Sequence, residues 1–379
     1  MFMLFQYGKK YFPMSNTAVN LLSTKADVKT YVVPETVKDA DNNEYTVSLI
    51  GDYAFENANA NIEEVVVKGD VGYIGAMAFL TKVKREGASI KPNGTTIKQV
   101  IFTSNTPAVW LSKDYFGLTD DFKEFSPEQK IYVKKTKVDA YKAAWSNFRN
   151  QVDYQIPGIA IGKKYGTFSR EFDVDLSDAN SLGEHVYAFT SGEIREGTGD
   201  YGESEYHVIM HSVNVADNGD GTYIPAGEGV LLKYMDGETL PEDYYYCIGE
   251  KDDRIYTVSD NVMKGVTINN QSITDTNHDI WVMQGGIFRS LDGATVSMPI
   301  HKAYLQLAGI PAGAKLMFAF EEPNEIEETI PAEEVENTTD IEDNLKTNAT
   351  HKVYYDLQGR RVINPEKGIY IVNGKKVIM

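Results

Sequence analysis

The chain has 379 residues, enough for two or three domains that each bury a hydrophobic core. Its formal net charge of −18 repels phosphate backbones and argues against general nucleic-acid binding. A single cysteine, Cys247, excludes an intrachain disulfide and a cysteine-based zinc site, and we expect it to be a half-buried strand thiol. The sequence contains no run of 18 apolar residues that would predict a membrane span. Residues 1–7 lack the basic region and cleavage site of a signal peptide.

Two similar phrases recur near the start of the chain with an offset of 24 residues. They run from Val47 to Phe55 and from Val71 to Phe79, with Val, Ile, Gly, Ala and Phe at matching positions. A repeat of this size indicates stacked supersecondary units that bury a shared core. We predict a short solenoid in which each glycine permits a tight turn and each phenylalanine fills the space between coils.

A run rich in β-branched residues follows each phrase, at residues 62–67 and 97–102. Residues 131–133 and 31–33 are shorter runs of the same kind. Such runs, bounded by Gly, Asn and Pro, are typical of short strands. They predict one strand for each coil of the repeat region.

Residues 136–150 are predicted to form a helix that closes the last coil. Thr136 is the candidate N-cap, with Asp139 three residues later in an arrangement like a capping box. Four apolar side chains share one face at helical spacing. These are Val138, Tyr141, Trp145 and Phe148.

The second phrase is followed by an insertion of eleven residues relative to the first. It concentrates basic charge on an acidic protein, and Asn93-Gly94 ends it with a turn signal. We expect either a docking loop for a partner or a solvent-exposed excursion. The candidate partner-binding residues are Lys82, Lys84, Arg85 and Lys91.

The Ile-Gly-x-x-Ala-Phe phrases resemble the leucine-rich repeats of the BspA-like family of bacterial surface proteins. The segments 32–37 and 45–47 resemble the start of that family's repeat domain. The segments 106–107, 130–133 and 138–148 resemble its end, so the match covers about residues 20–155. The resemblance implies a leucine-rich repeat domain at residues 1–155. It also implies a cell-surface or secreted protein that binds other molecules.

Residues 156–322 predict an antiparallel β-sandwich or barrel, because about nine strand candidates alternate with turn signals. Several motifs in this β module resemble functional sites. Residues 197–202 fit G-x-G-x-x-G without a following helix, and residues 217–221 indicate a hairpin turn rather than a calcium loop. His207 and His211 share a strand face, which permits weak metal binding at most. We assign no catalytic residue, cofactor or metal ligand.

Residues 323–350 are predicted to be an acidic linker, since residues 321–350 hold eleven carboxylates and one lysine. Residues 351–379 predict three short strands. This tail resembles the C-terminal sorting segments of type IX secretion.

The sequence as a whole indicates a mainly β protein: a short repeat solenoid with a capping helix, a β module and a small β tail. We expect a non-enzymatic, adhesin-like surface protein whose partner is a host protein or glycan. Two alternatives stay open, a structural component of an envelope assembly and a glycan-processing enzyme with its site in the β module.

Overall fold

The chain divides into two compact units, Met1–Glu334 and Val335–Met379. The computed structural model describes residues 4–6, 9–13, 18–23, 27–56, 61–87, 89–110, 128–158, 165–176, 186–198, 204–213, 223–234, 245–250, 261–285, 287–310, 315–321, 329–334, 354–355, 361–362, 369–372 and 375–378. Within these ranges no helix has the length and hydropathy needed to cross a membrane.

The repeat region consists of short strands and a helix, α1 (Val138–Ala144). Its strands are β1 (Leu4–Gln6), β2 (Lys9–Pro13), β3 (Ala18–Ser23), β4 (Thr30–Val33), β5 (Thr36–Lys38), β6 (Glu44–Ile50), β7 (Glu64–Val67), β8 (Tyr73–Ile74), β9 (Val83–Glu86), β10 (Ser89–Pro92), β11 (Gln99–Phe102), β12 (Val109–Trp110), β13 (Lys130–Tyr132) and β14 (Val152–Asp153).

Twelve of these strands form two sheets that run along the repeats, and β9 and β10 form a separate two-stranded sheet. The five-stranded sheet has the order β14-β13-β11-β7-β4, and all of its pairs are parallel. In the seven-stranded sheet, β3, β6, β8 and β12 are parallel neighbours, while β1, β2 and β5 add antiparallel pairs.

Equivalent residues of successive coils lie opposite one another in the five-stranded sheet. One column contains Val32, Val66, Ile101 and Tyr132. The adjacent column contains Tyr31, Val65, Val100, Ile131 and Val152. Because successive side chains of a strand point to opposite faces, the two columns enter different hydrophobic cores.

Aromatic rings connect the coils inside the repeat region. Phe55 and Phe79 are fully buried and stacked, with ring centroids 5.6 Å apart. Tyr31 packs edge-on against Phe55, and Phe102 packs edge-on against Phe79. The prediction that the two phenylalanines fill the space between coils is confirmed.

The glycines of the two phrases have a different role from the predicted one. Neither Gly51 nor Gly75 has a positive φ; the left-handed position belongs to Tyr53 and Met77, with φ of 55° and 52°. Gly75 is needed because a Cβ there would collide with the backbone nitrogen of Asp52 in the preceding coil. The repeat therefore uses this glycine for close approach, not for backbone freedom.

The capping segment covers the end of the repeat core, as predicted. Helix α1 is shorter than the expected 136–150 and is flanked by 3-10 turns at Lys135–Lys137 and Ser146–Phe148. Tyr141, Trp145 and Phe148 are buried, and Trp145 Nε1 donates a hydrogen bond to the Ala108 carbonyl at 2.8 Å.

The predicted N-cap at Thr136 is wrong. Lys137 occupies the N-cap position of α1, and its side chain makes no capping hydrogen bond. Thr136 lies inside the preceding 3-10 turn, and its hydroxyl donates instead to Glu250 Oε2 at 2.6 Å. A contact with the β module has replaced the local cap.

The β module and the chain up to residue 334 supply three further sheets. The strands are β15 (Ile156–Pro157), β16 (Tyr165–Ser169), β17 (Val174–Asp175), β18 (Val186–Thr198), β19 (Ser204–Ser212), β20 (Tyr223–Ile224), β21 (Gly229–Tyr234), β22 (Tyr245–Ile248), β23 (Met263–Gly265), β24 (Gln271–Thr274), β25 (Ile280–Gln284), β26 (Ile287–Ser290), β27 (Thr295–Met298), β28 (Ala303–Gln306), β29 (Lys315–Glu321) and β30 (Thr329–Glu334).

The largest sheet has the order β16-β21-β18-β19-β29-β30-β26-β25-β28-β23, and smaller sheets contain β15-β22-β17-β20 and β24-β27. Most pairs are antiparallel as predicted, but β19 with β29 and β26 with β30 are parallel. Among the described strands the large sheet has two ends, so the barrel alternative does not form. Strand β30 lies within the predicted acidic linker, and the rest of residues 323–350 lies outside the described ranges.

Residues 354–378, in the smaller unit, form an antiparallel sheet with the order β32-β31-β33-β34. The described residues of the tail thus form four strands where three were predicted. They are β31 (Tyr354–Tyr355), β32 (Arg361–Val362), β33 (Ile369–Val372) and β34 (Lys375–Ile378).

Candidate functional site

The outward face of the five-stranded sheet packs against the β module. Val66, Ile101 and Tyr132 share one buried cluster with β-module side chains that include Phe168 and Tyr246. We call this contact between the sheet and the β module the seam. Stacked repeats commonly offer their strand face to ligands, but here the chain covers that face itself.

A buried ion-pair cluster lies in the seam. Arg170 Nη2 donates to Glu64 Oε1 and to Glu171 Oε1, each at 3.0 Å. Arg170 Nη1 donates to the Tyr246 hydroxyl at 2.7 Å and to Glu64 Oε2 at 3.3 Å. His301 Nε2 lies 3.0 Å from Glu171 Oε2. These five residues join one coil of the repeat region to three separate segments of the β module.

Strand geometry explains why these groups meet. Glu64 is two residues before Val66 on β7, so both side chains face the seam. Arg170 and Glu171 follow β16 directly. The Ser169 hydroxyl donates to the Lys302 carbonyl at 2.8 Å, which holds the segment containing His301 beside them.

The cluster is almost completely buried, so each charge is stabilised by the other charges and not by water. Arg170 is 2% exposed, Glu171 5% and Glu64 7%. Burial by itself lowers the pKa of Arg170, but the carboxylates of Glu171 and Glu64 raise it above its ordinary value. Burial likewise raises the pKa of Glu171, and this is outweighed by the Arg170 charge and the His301 hydrogen bond, which hold it at about 2.

Three members of the cluster have the chemistry of a metal site. One ligand atom from each of Glu64, Glu171 and His301 lies within 4.8 Å of the others. The Arg170 guanidinium, however, already lies between the two carboxylates. A divalent ion at this place would leave that buried cation without its partners. We therefore interpret the cluster as an internal ion-pair network.

A cleft of about 820 Å³ opens where the strands of the five-stranded sheet begin. We call it the strand-start cleft. The repeat region contributes polar groups that include Asn61, Glu63 and Gln99, and Arg170 and His301 of the cluster line its wall. From the β module come Asn269, Asn270, Pro299, Ile300 and Lys302. Both partners of the seam are thus required to form this cleft.

A second cleft of about 610 Å³ lies where the same strands end, and we call it the strand-end cleft. Lys68, Asp70 and Asn105 line it from the repeat region, while Asp173 and Glu250 line it from the β module. The two clefts therefore lie at opposite ends of the seam.

The predicted basic insertion folds as an antiparallel hairpin of β9 and β10. The described residues of this hairpin line neither cleft. Lys84 forms an ion pair with Glu86 at 2.6 Å, and Arg85 forms a two-pronged ion pair with Glu56. Lys82 is exposed, while the side chain of Lys91 lies outside the described atoms. The four residues do share one hairpin, and their role in binding stays a prediction.

The other candidate motifs form no common site among the described residues. His207 and His211 lie on β19, and His207 Nε2 is 3.7 Å from Glu205 Oε2. Residues 217–221 and 199–203 lie outside the described ranges. Cys247 is on β22 and is 1% exposed, which is more buried than expected.

Sequence reasoning missed the seam cluster entirely. Arg170, Glu171 and His301 belong to no recognised motif, and Glu64 is far from them along the chain. One signal was available: Glu64 shares a strand face with Val66 inside a run of apolar residues. A carboxylate on a buried face requires a buried partner.

No protein-family profile matches the chain, and no curated protein sequence is similar to it. Among solved structures, a leucine-rich cell surface protein from Faecalibacterium prausnitzii A2-165 is 20% identical with a TM-score of 0.23, covering 28% of this chain and 25% of that chain. A leucine-rich repeat protein from Bacteroides capillosus ATCC 29799 is 19% identical with a TM-score of 0.22, covering 35% of this chain and 98% of that chain. Both similarities are partial and low, and neither establishes a role for this chain.

Proposed function

We propose that this protein is a non-enzymatic, adhesin-like protein of the bacterial cell surface that binds a host protein or glycan. Its first 155 residues would be a short leucine-rich repeat solenoid of the BspA-like kind. The aligned columns of the five-stranded sheet and the stacked Phe55 and Phe79 support this fold. The tail would serve as a sorting segment that brings the protein to the surface.

The observation that carries the proposal is the strand-start cleft. The β module covers the strand face of the repeats, and the cleft is a concave surface built jointly by both. Its volume falls in the range of about 300–1,000 Å³ that is typical of ligand pockets. Amides, carboxylates and cations line the cleft together with apolar groups, which suits a partner that offers both hydrogen-bonding groups and apolar surface.

An array of host glycans and matrix proteins, probed with the intact chain, tests the proposal. Two matched variants fill one cleft each. Asn61→Trp places an indole in the strand-start cleft, and Asn105→Trp places one in the strand-end cleft, both at exposed positions. We expect binding that Asn61→Trp abolishes and Asn105→Trp preserves.

Two results would contradict the proposal. Absence of binding to every glycan and matrix protein would remove the adhesin-like role. Turnover of a polysaccharide panel by the intact chain would instead favour an enzyme.

A further inference from the structure

The strand-start cleft contains a cation without a counter-charge. Lys302 lines the cleft and is half-buried. Within the described part of the chain, its ammonium makes no hydrogen bond or ion pair. Burial lowers the pKa of Lys302, and no carboxylate offsets that effect. An anion bound beside it would restore the lost charge stabilisation.

The other cations around the cleft already have a carboxylate partner. Glu63 lies 3.1 Å from Lys98 Nζ and 3.7 Å from Lys29 Nζ. Glu64 is committed to Arg170, and Asp27 accepts a hydrogen bond from Asn61 at 2.7 Å. Lys302 is therefore the lining cation that an entering anion would meet unpaired.

The cleft also presents acceptors for hydroxyl groups. The amide nitrogens of Asn61, Gln99 and Asn269 donate to Asp27, Glu64 and the Thr30 carbonyl. Their amide oxygens accept no hydrogen bond from any residue that the structure describes. Each oxygen is free to accept one from a ligand hydroxyl.

These features together select the ligand chemistry. A single ammonium suits one carboxylate, whereas phosphate groups usually take several backbone or guanidinium donors. A polyanion would be repelled by the net charge of −18. Several hydroxyl groups and one carboxylate are the features of an acidic sugar.

We propose that the strand-start cleft binds a carboxylate-bearing sugar, with the carboxylate on the Lys302 ammonium and ring hydroxyls on the amide oxygens of Asn61 and Asn269. The inference rests on the proposed function and names the ligand class of the same cleft. The volume of about 820 Å³ accommodates one or two sugar rings.

Calorimetric titration of the intact chain tests the inference with four probes. D-glucuronic acid and N-acetylneuraminic acid carry the carboxylate, while D-glucose and the methyl ester of glucuronic acid lack the charge. We expect an acidic sugar to bind and both neutral probes to bind at least about tenfold more weakly, since a charge-assisted hydrogen bond is lost.

Two variants decide whether Lys302 is responsible. Lys302→Met keeps the length of the apolar stem and removes the charge, so affinity for the acidic sugar should fall about tenfold or more. Lys68→Met removes a charge from the strand-end cleft and should leave the affinity unchanged. A thermal melt of each variant confirms that it is folded.

Equal affinity for glucose and glucuronic acid would overturn the inference, and so would unchanged affinity in Lys302→Met or failure of both acidic sugars to bind. Array binding that persists in Lys302→Met would leave the proposed function intact while the acidic-sugar inference failed. Conversely, calorimetric binding lost in Lys302→Met, with no array binding, would keep the inference and remove the adhesin-like role.

Discussion

The two sheets of the repeat region differ in what lies on their outward faces. In the five-stranded sheet, Val66 and Ile101 are fully buried against the β module. In the seven-stranded sheet, the aligned residues Tyr73 and Val109 are 47% and 58% exposed. One sheet is therefore buried on both faces, and on the other this row of side chains faces solvent.

The strand sequences reflect this difference in how the two sheets are covered. Strand β7 contains the uninterrupted apolar run Val65-Val66-Val67, as expected for a parallel strand covered on both sides. In strand β8 the exposed Tyr73 is followed by the buried Ile74, which is the alternation expected of a strand covered on one side. A run of consecutive apolar residues in a repeat thus predicts a second layer, even where the layer itself cannot be recognised.

The largest expected effect on stability comes from removing Arg170, the buried cation of the seam. Arg170→Met leaves Glu64 and Glu171 buried without their partner, so the free energy of unfolding should fall by about 3–5 kcal/mol. Urea denaturation measures the change, and the exposed Arg149→Met is the matched control.

A second variant separates the lost ion pairs from lost packing. When Glu64→Gln and Glu171→Gln are added to Arg170→Met, no buried charge is left unpaired and part of the stability should return. Equal stability of Arg170→Met and Arg149→Met would show that the covered face does not depend on the cluster.

The next effect is a dependence of stability on pH. The pKa of Glu171 is about 2 in the fold, against 4.5 as its ordinary value, so ionised Glu171 stabilises the folded state. This contribution, about 3 kcal/mol, is complete above pH 4.5 and is lost as the pH falls from 4.5 towards 2.

Urea denaturation between pH 7 and pH 2.5 measures this dependence in the natural chain and in Glu171→Gln. The difference in unfolding free energy between the two should shrink as the pH falls, because only the natural chain gains a proton there. A difference that stays constant across this range would contradict the assigned role of Glu171.

Shortening one valine on each sheet compares the two faces directly. Val66→Ala removes buried methyl groups from the seam and should lower the free energy of unfolding by about 2 kcal/mol. Val109→Ala makes the same change at an exposed site and should alter it by less than about 0.5 kcal/mol. Similar losses for both variants in urea denaturation would mean that the faces are equally covered.

The repeat core could be predicted because its signal is local and periodic. The matching positions of the two phrases place Phe55 and Phe79 in one stack, and helical spacing places Tyr141 and Trp145 over the last coil. Most strands of the β module follow the predicted candidates as well, since each alternates within its own segment.

The candidate site could not be predicted because it depends on contacts between distant segments. Glu64 and Arg170 are 106 residues apart, and His301 reaches Glu171 across 130. Thr136 shows the same effect on a smaller scale. Its hydroxyl was expected to cap the helix, but it donates a hydrogen bond to Glu250 in the β module. Local patterns predict single strands and helices. The seam instead depends on how distant segments bury their apolar faces against one another.

The smallest expected effect concerns the hairpin β9–β10, on which the four basic residues lie. Its charges are partly neutralised by Glu86 and Glu56, and such exposed ion pairs contribute little to stability. The combined substitution of Lys82, Lys84 and Arg85 by Ala should leave the thermal midpoint unchanged within error. If the hairpin is a docking element, array binding should nevertheless fall in this variant, while Lys142→Ala on α1 binds normally. Unchanged array binding would assign recognition to the strand-start cleft alone and reduce the insertion to a solvent-exposed excursion.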